Sequence, residues 1–152
     1  MIAAVIFDLD DTLADIGQRQ HILKNGDTQD DKTWVRFFKA CKKDKPIQWV
    51  IDLLDMLQDC SHHQMVIITG RSSIVEEETR HWLNKHKIYP DWIEFRPGAD
   101  RKHDTEVKPE MLKKVIKMLD EKVWFIVEDR NSMVKKWREL GHNVLQCRES
   151  VY

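Results

Sequence analysis

The sequence predicts an α/β fold: a doubly wound parallel sheet with a small helical insertion after its first strand. Three observations carry that reading. Residues 3–7 (AAVIF), 64–69 (QMVIIT) and 123–127 (VWFIV) are short, almost wholly apolar runs, the pattern of strands buried on both faces of a parallel sheet. Amphipathic helical stretches alternate with them, which calls for right-handed crossovers. Each run also stops at polar residues, and in open α/β sheets ligands gather at the carboxyl ends of the strands.

Taken in order, the first strand runs into Asp8, Asp10, Asp11 and Thr12. Three acids there repel one another unless they meet solvent, hydrogen-bond donors or a cation, so a metal-loaded acidic site is expected above strand one. Residues 14–46 then break the β–α rhythm and read as a small cap-like insertion near the site. It holds a turn-rich piece, 24–32, and a helix over 33–43 with Trp34, Phe37, Phe38 and Cys41 on one face and Thr33 as its cap. Those aromatics are expected to pack the insertion to the body, with Trp34 or Phe38 as an alternative stacking face for a base.

Pro46 is read as opening an amphipathic helix over 47–58, with Ile47, Val50, Ile51, Leu54 and Leu57 in register. The second strand stops at Thr69, Gly70 and Arg71, and Ser72 and Ser73 offer caps for a helix reaching about His86. Residues 91–96 predict a third strand, 97–104 a polar loop, and 106–119 a lysine-rich helix. The strand over 123–127 ends at Glu128, Asp129 and Arg130. A helix over 132–140 closes at Gly141, a good left-handed terminator, and 143–147 predicts the last strand.

The 152 residues suit one domain with a real core, spanning 1–152. Charges nearly cancel, to −1, which argues against broad duplex binding. No segment approaches a membrane span, and no secretory leader is evident, so a cytoplasmic chain with reduced Cys41, Cys60 and Cys147 is expected. His62 and His63 beside Cys60 lack a spaced second ligand pair, which leaves a polar loop rather than zinc. The absence of GxxxxGK[ST] excludes a P-loop kinase within the chain.

Asp8, Asp10, Thr69, Arg71, Glu128 and Asp129 fall at strand ends along one sheet edge, and Lys108 near the start of a crossover helix can reach it. Carboxylates, a hydroxyl and an ammonium together suggest phosphoryl transfer to an aspartate. A carboxylate about 4 Å from a phosphate dianion is repelled by about 8 kcal/mol at an effective dielectric near 20, so a divalent cation is implied. Asp8 and Asp129, with the Asp10 segment, are the candidate ligands of Mg²⁺. Asp8 is the candidate nucleophile, Asp10 the general acid and base, and Thr69 and Lys108 the holders of phosphoryl oxygens. Glu128 is expected to position the metal or Lys108, and Asp104 either to cap its helix or to serve the site.

These residues carry a family resemblance. Asp8-Leu9-Asp10-Asp11-Thr12-Leu13 resembles the DxDxT signature of haloacid dehalogenase-type phosphatases, and Thr69, Lys108 and Glu128-Asp129 stand where that family's later motifs belong. The resemblance implies a Rossmann-like core, Mg²⁺ dependence and phosphorylation of Asp8. A narrower likeness is to the 3′-phosphatase domain of phage-type polynucleotide kinase–phosphatases. It rests on Arg19, Thr69-Gly70-Arg71, Arg96, Asp104 ahead of Lys108, and Glu128-Asp129-Arg130 with the helix after it. Glu128 and Thr69 stand where the family usually has Asp and Ser, swaps that keep the chemistry. That likeness implies substrate contacts from Arg19, Gly70, Arg71, Arg96 and Asp104, and a supporting place for Glu128 and Arg130. It also implies removal of 3′-phosphates from nucleic-acid ends, with a separate kinase or ligase as partner. The alternatives are a nucleotidase or small-molecule phosphatase with the same chemistry, and a phospho-acceptor signalling module, which would place no general acid at Asp10.

Overall fold

A computed structural model describes residues 2–60, 62–98 and 100–151; the Cys60 side chain lies outside the described part. Five parallel strands form one sheet, in the order β5–β4–β1–β6–β7, where β1 is Ala3–Phe7, β4 Gln64–Ser72, β5 Trp92–Arg96, β6 Lys122–Arg130 and β7 Val144–Ser150. The predicted sheet is therefore present, with β1 at its centre. Ala4, Val5, Ile6 and Phe7 are all at most 1 % exposed, because helices cover both faces above them. On one face Val50, Ile51 and Leu54 of α3 (Gln48–Cys60) and Trp82 and Leu83 of α4 (Glu76–Lys85) pack against Val5, Phe7 and Ile67. On the other, Val107, Met111, Leu112 and Val115 of α5 (Asp104–Leu119) and Met133 and Trp137 of α6 (Asn131–Glu139) pack against Ala4, Ile6, Val66 and Ile126. Burying one such side chain contributes about 1.5–3 kcal/mol.

The chain winds from β1 to β4 and β5, then returns past β1 to β6 and β7. Strand order reverses beside β1, so the loops after β1, β4 and β6 splay apart there and leave a crevice at their carboxyl ends.

Several boundaries differ from the sequence reading. Residues 14–46 do hold helices, α1 (Gln20–Asn25) and α2 (Asp31–Lys39), but α2 begins earlier than expected. Its cap is Asp30, whose side chain accepts the Lys32 N–H, rather than Thr33, which is buried. Pro46 does not open a helix: β3 (Lys45–Pro46) pairs antiparallel with β2 (Ala14–Asp15), tying the two ends of the insertion together. Proline is tolerated there because it lacks only a backbone donor, which an edge position of a two-strand ribbon does not need. The β4 and β6 strands run beyond the apolar cores that reveal them, through Thr69-Gly70-Arg71 and Glu128-Asp129-Arg130. Gly141 takes φ +86°, as expected of a helix terminator. No helix among the described residues is long and apolar enough to cross a membrane.

Candidate active site

Asp8 follows β1 directly, and its backbone N–H donates to the Val127 carbonyl of β6, which fixes the turn. Asp11 at φ +60° lets the chain reverse, and its carboxylate accepts the Ile16 N–H. Asp11 is thus a turn builder. The same turn buries Thr12, whose hydroxyl lies 3.0 Å from Asp129 Oδ1 and 3.3 Å from Asp8 Oδ2. A hydroxyl has one proton, so it serves one carboxylate at a time and the shorter contact is favoured.

Lys108, 3 % exposed, points from the first turns of α5 into this cluster. Its ammonium donates to Asp8 Oδ1 at 2.6 Å and to Glu128 Oε2 at 3.2 Å. Glu128 Oε1 accepts the backbone N–H groups of Asp129 and Arg130. Carboxylate oxygens of Asp8, Glu128 and Asp129 all lie within 4.8 Å of one another. Two like charges at that distance repel by about 3 kcal/mol at an effective dielectric near 20. Three buried carboxylates against one ammonium leave negative charge in excess. Burial first, then the neighbouring Glu128, raises the Asp8 carboxyl well above the usual range, and burial raises Asp129 to about 6. Burial opposes the charge on Lys108, yet Asp8, Glu128 and Asp104 outweigh it and hold the ammonium protonated. Hard oxygen donors with surplus negative charge fit a divalent cation such as Mg²⁺.

Glu128 is a third carboxylate beside Asp8 and Asp129, while the Asp10 side chain is engaged by arginines: Arg19 donates to its Oδ1 at 2.7 Å and Arg71 Nε at 2.8 Å. Burial raises Asp10, but Arg19 and Arg71 more than reverse it and hold the carboxyl below its ordinary range. Both guanidiniums are fully buried, so neither is a solvated charge or an exposed anion contact. A short 3₁₀ turn, Gly17–Arg19, rather than irregular chain, delivers Arg19. Both arginines also reach Asp44, a buried carboxylate that sequence reasoning missed; Arg19 donates to Oδ2 at 2.8 Å and Arg71 at 2.9 Å. Asp44 lies among Lys42, Lys43 and Lys45, where it reads as one more solvated charge.

A second ionic group flanks the first. Asp104 accepts from Arg96 and, at 2.8 Å, from Arg130; Arg96 also donates to the Gly70 carbonyl at 3.1 Å. Burial raises Asp104, but Lys108, Arg130 and Arg96 bring it below the carboxylate range. It does not cap α5, a task performed by the His103 side chain. Gly70 is required by close approach: a Cβ there would stand 2.7 Å from Asp104 Oδ1. Thr69 is buried at the end of β4, and its hydroxyl accepts the Arg71 N–H at 3.1 Å. Asp8, Lys108, Glu128 and Asp129 are therefore in mutual reach, with Asp10, Arg19 and Arg71 in an adjoining network and Gly70, Arg96, Asp104 and Arg130 in a third.

The other sequence candidates sort simply. Phe37 is buried under the Arg19 guanidinium at 4.3 Å, Trp34 and Phe38 meet its ring edge-on, and those two rings are tilted against each other. Trp34 donates to the Thr28 carbonyl, so the aromatic cluster serves the insertion's packing. His63 Nδ1 accepts the Ala3 N–H, and its ring lies against Trp124. Cys41 and Cys147 are free thiols, and burial raises Cys147 to about 11.

The sequence profile of the polynucleotide kinase PNKP phosphatase domain matches residues 2–152. Among solved structures, a chain of the Pnkp1/Rnl/Hen1 complex aligns over 100 % of this chain and 48 % of its own length, with 25 % identity and a TM-score of 0.82. A chain of the Pnkp1/Rnl/Hen1 RNA repair complex gives 100 %, 44 %, 25 % and 0.80. The chain thus spans about half the length of these two. The class C acid phosphatase from Bacillus anthracis with tungstate bound shares the fold, with a TM-score of 0.68 at 15 % identity over 99 % of this chain and 68 % of that one. None of the curated proteins compared matches.

Proposed function

The chain belongs to the polynucleotide kinase PNKP phosphatase domain family, within the haloacid dehalogenase-type hydrolases, and from that premise we propose that it removes 3′-phosphates from nucleic-acid ends. It is a phosphoric monoester hydrolase. The single observation that carries the reading is the contact of Lys108 Nζ with Asp8 Oδ1 at 2.6 Å, in a cluster that also holds Glu128 and Asp129. RNA ends are included among the substrates because two similar chains come from a Pnkp1/Rnl/Hen1 assembly, described in one case as an RNA repair complex. A separate kinase or ligase is proposed as a partner on the same ground.

In this mechanism an Asp8 carboxylate oxygen attacks phosphorus and the bond from phosphorus to the 3′-oxygen breaks. Asp10 acts from its protonated fraction, giving its proton to the departing 3′-oxygen and returning to the carboxylate that Arg19 and Arg71 stabilise. Water then attacks the phosphorus of the aspartyl-phosphate, passes a proton to Asp10, and Asp8 leaves as a carboxylate. Lys108 orients Asp8 and neutralises charge on the phosphoryl oxygens, helped by the Thr69 hydroxyl. Asp8, Glu128 and Asp129 would hold Mg²⁺, which supplies charge neutralisation between nucleophile and phosphate. Because Asp10 rests on Arg19 and Arg71, the two arginines act through Asp10 rather than by direct contact with phosphate. Arg96 and Arg130, 11 % and 24 % exposed where Arg19 and Arg71 are fully buried, are assigned to the substrate strand.

The test is phosphate release from 3′-phosphorylated RNA and DNA oligonucleotides, 5′-phosphorylated oligonucleotides and nucleoside monophosphates, each with Mg²⁺ or EDTA. Mg²⁺-dependent release from 3′ ends, well ahead of the rest, is expected. Faster turnover of monophosphates would make the protein a nucleotidase instead.

A further inference from the structure

We propose that Asp44 is a positioning residue for catalysis: it locks the Arg19 and Arg71 guanidiniums in the orientation that grips one oxygen of Asp10 and leaves the other for proton transfer. The inference rests on the reading of Asp10 as the proton donor and acceptor. Its basis is geometric. Arg19 lays its fork along Asp44, with Nε at 3.0 Å from Oδ1 and 3.1 Å from Oδ2 and the terminal nitrogen at 2.8 Å from Oδ2. That terminal nitrogen's remaining reach goes to Asp10 Oδ1 at 2.7 Å. Arg71 bridges the same two acids, from Nε to Asp10 Oδ1 at 2.8 Å and from its terminal nitrogen to Asp44 Oδ2 at 2.9 Å. Both grips on Asp10 thus converge on Oδ1, and no described residue hydrogen-bonds Oδ2.

Asp44 itself is held firmly. Gln18 donates to its Oδ1 at 2.8 Å, and the buried Trp82 indole donates to its backbone carbonyl at 2.8 Å. Of the four charged groups, the side chains of Arg19, Arg71 and Asp44 are fully buried and only that of Asp10 is exposed, at 21 %. Two guanidiniums and two carboxylates balance. Without Asp44, both cations would turn on Asp10 alone, and a planar fork freed from its bidentate partner has no reason to spare Oδ2. Positional errors of this kind, with the reacting groups still present, are costly in rate.

The discriminating variant is Asp44→Asn, which keeps the size and removes the charge. Nitrophenyl phosphate, whose leaving group needs no proton, separates transfer to Asp8 from the later water attack. Asp44→Asn is expected to release a rapid burst of nitrophenolate near one per folded site, then to turn over about 10²-fold more slowly than the parent, the size of a lost general base. On nitrophenyl phosphate kcat/KM should stay within about threefold, because KM falls together with kcat when only the second step is slowed. On a 3′-phosphorylated oligonucleotide, whose alkoxide needs the proton, the first turnover itself should slow by about 10²-fold. Burst amplitude counts competent sites, so partial misfolding does not imitate the effect. Should the asparagine chain not fold, Asp44→Glu keeps the charge, displaces the carboxylate by one methylene, and must show the same split. Turnover within about threefold of the parent, or equal slowing of the nitrophenolate burst and the oligonucleotide step, overturns the inference. A parent protein that cleaves nitrophenyl phosphate but no oligonucleotide overturns the substrate reading alone, while the burst still decides Asp44.

Discussion

The Lys108 ammonium stands 2.6 Å from Asp8 Oδ1, and both side chains are buried. Breaking a buried pair by removing one partner typically costs about 3–5 kcal/mol, because the other charge is left uncompensated. Lys108→Met is therefore expected to abolish phosphatase activity and to lower stability at pH 8. At pH 5 the carboxylates left behind can take a proton, so the loss there should be smaller. Thermal unfolding of parent and variant at the two pH values checks this; equal losses would count against a charged pair.

Metal-free protein should respond to pH in a defined direction. Asp129 is raised to about 6 and Asp8 is raised as well, so the folded state holds protons that the unfolded chain releases. That contribution is complete below about pH 4 and lost as pH climbs through about 6. Asp10 and Asp104, held low, work the opposite way, and their contribution disappears only as pH falls below the ordinary carboxylate range. Melting temperature in EDTA is expected to decline from pH 4.5 to 7, and Mg²⁺ to restore it most at the upper end. A flat EDTA profile with no Mg²⁺ response would remove the case for a metal at Asp8, Glu128 and Asp129.

Gly70→Ala tests the packing of the second ionic group. The new Cβ would meet Asp104 Oδ1 at 2.7 Å and Oδ2 at 3.0 Å, so the carboxylate must move away from Arg96 and Arg130. Overpacking of this kind costs about 1–3 kcal/mol. With Arg96 and Arg130 assigned to the substrate strand, KM for an oligonucleotide should rise more than kcat falls. Steady-state kinetics would expose an error if kcat alone changed.

Asp10→Asn is expected to lower turnover by at least about 10²-fold, as loss of a general acid does. Stability should drop too, since Arg19 and Arg71 each lose a charged partner while remaining buried. A fully active variant would return Asp10 to a purely structural role.

Which parts of this were legible in the chain follows from the range of the interactions. Val5, Ile6 and Phe7, like Val66 and Ile67, declare themselves because burial on both faces leaves an uninterrupted apolar run. Asp8, Lys108 and Asp129 were legible because each ends or follows a recognisable element, and parallel pairing brings such ends together. Asp44 was not, because its burial depends on Arg19, Arg71 and Trp82, which reach it from 25, 27 and 38 residues away. Pro46 misled for a related reason: its pairing with Ala14 is a ribbon closed across the insertion, while locally it resembles the first residue of a helix. The engagement of the Asp10 side chain likewise depends on where two arginines lie.

The central claim is that the Asp8 side chain accepts the phosphoryl group. Its most direct test is to quench the Mg²⁺-supplied protein in acid during turnover, reduce with borohydride, and sequence the peptides by mass spectrometry. An aspartyl-phosphate at position 8 is converted to homoserine there, and that product is expected only in the substrate-treated sample. Phosphate release with an unmodified Asp8, or homoserine at another aspartate, would contradict the account.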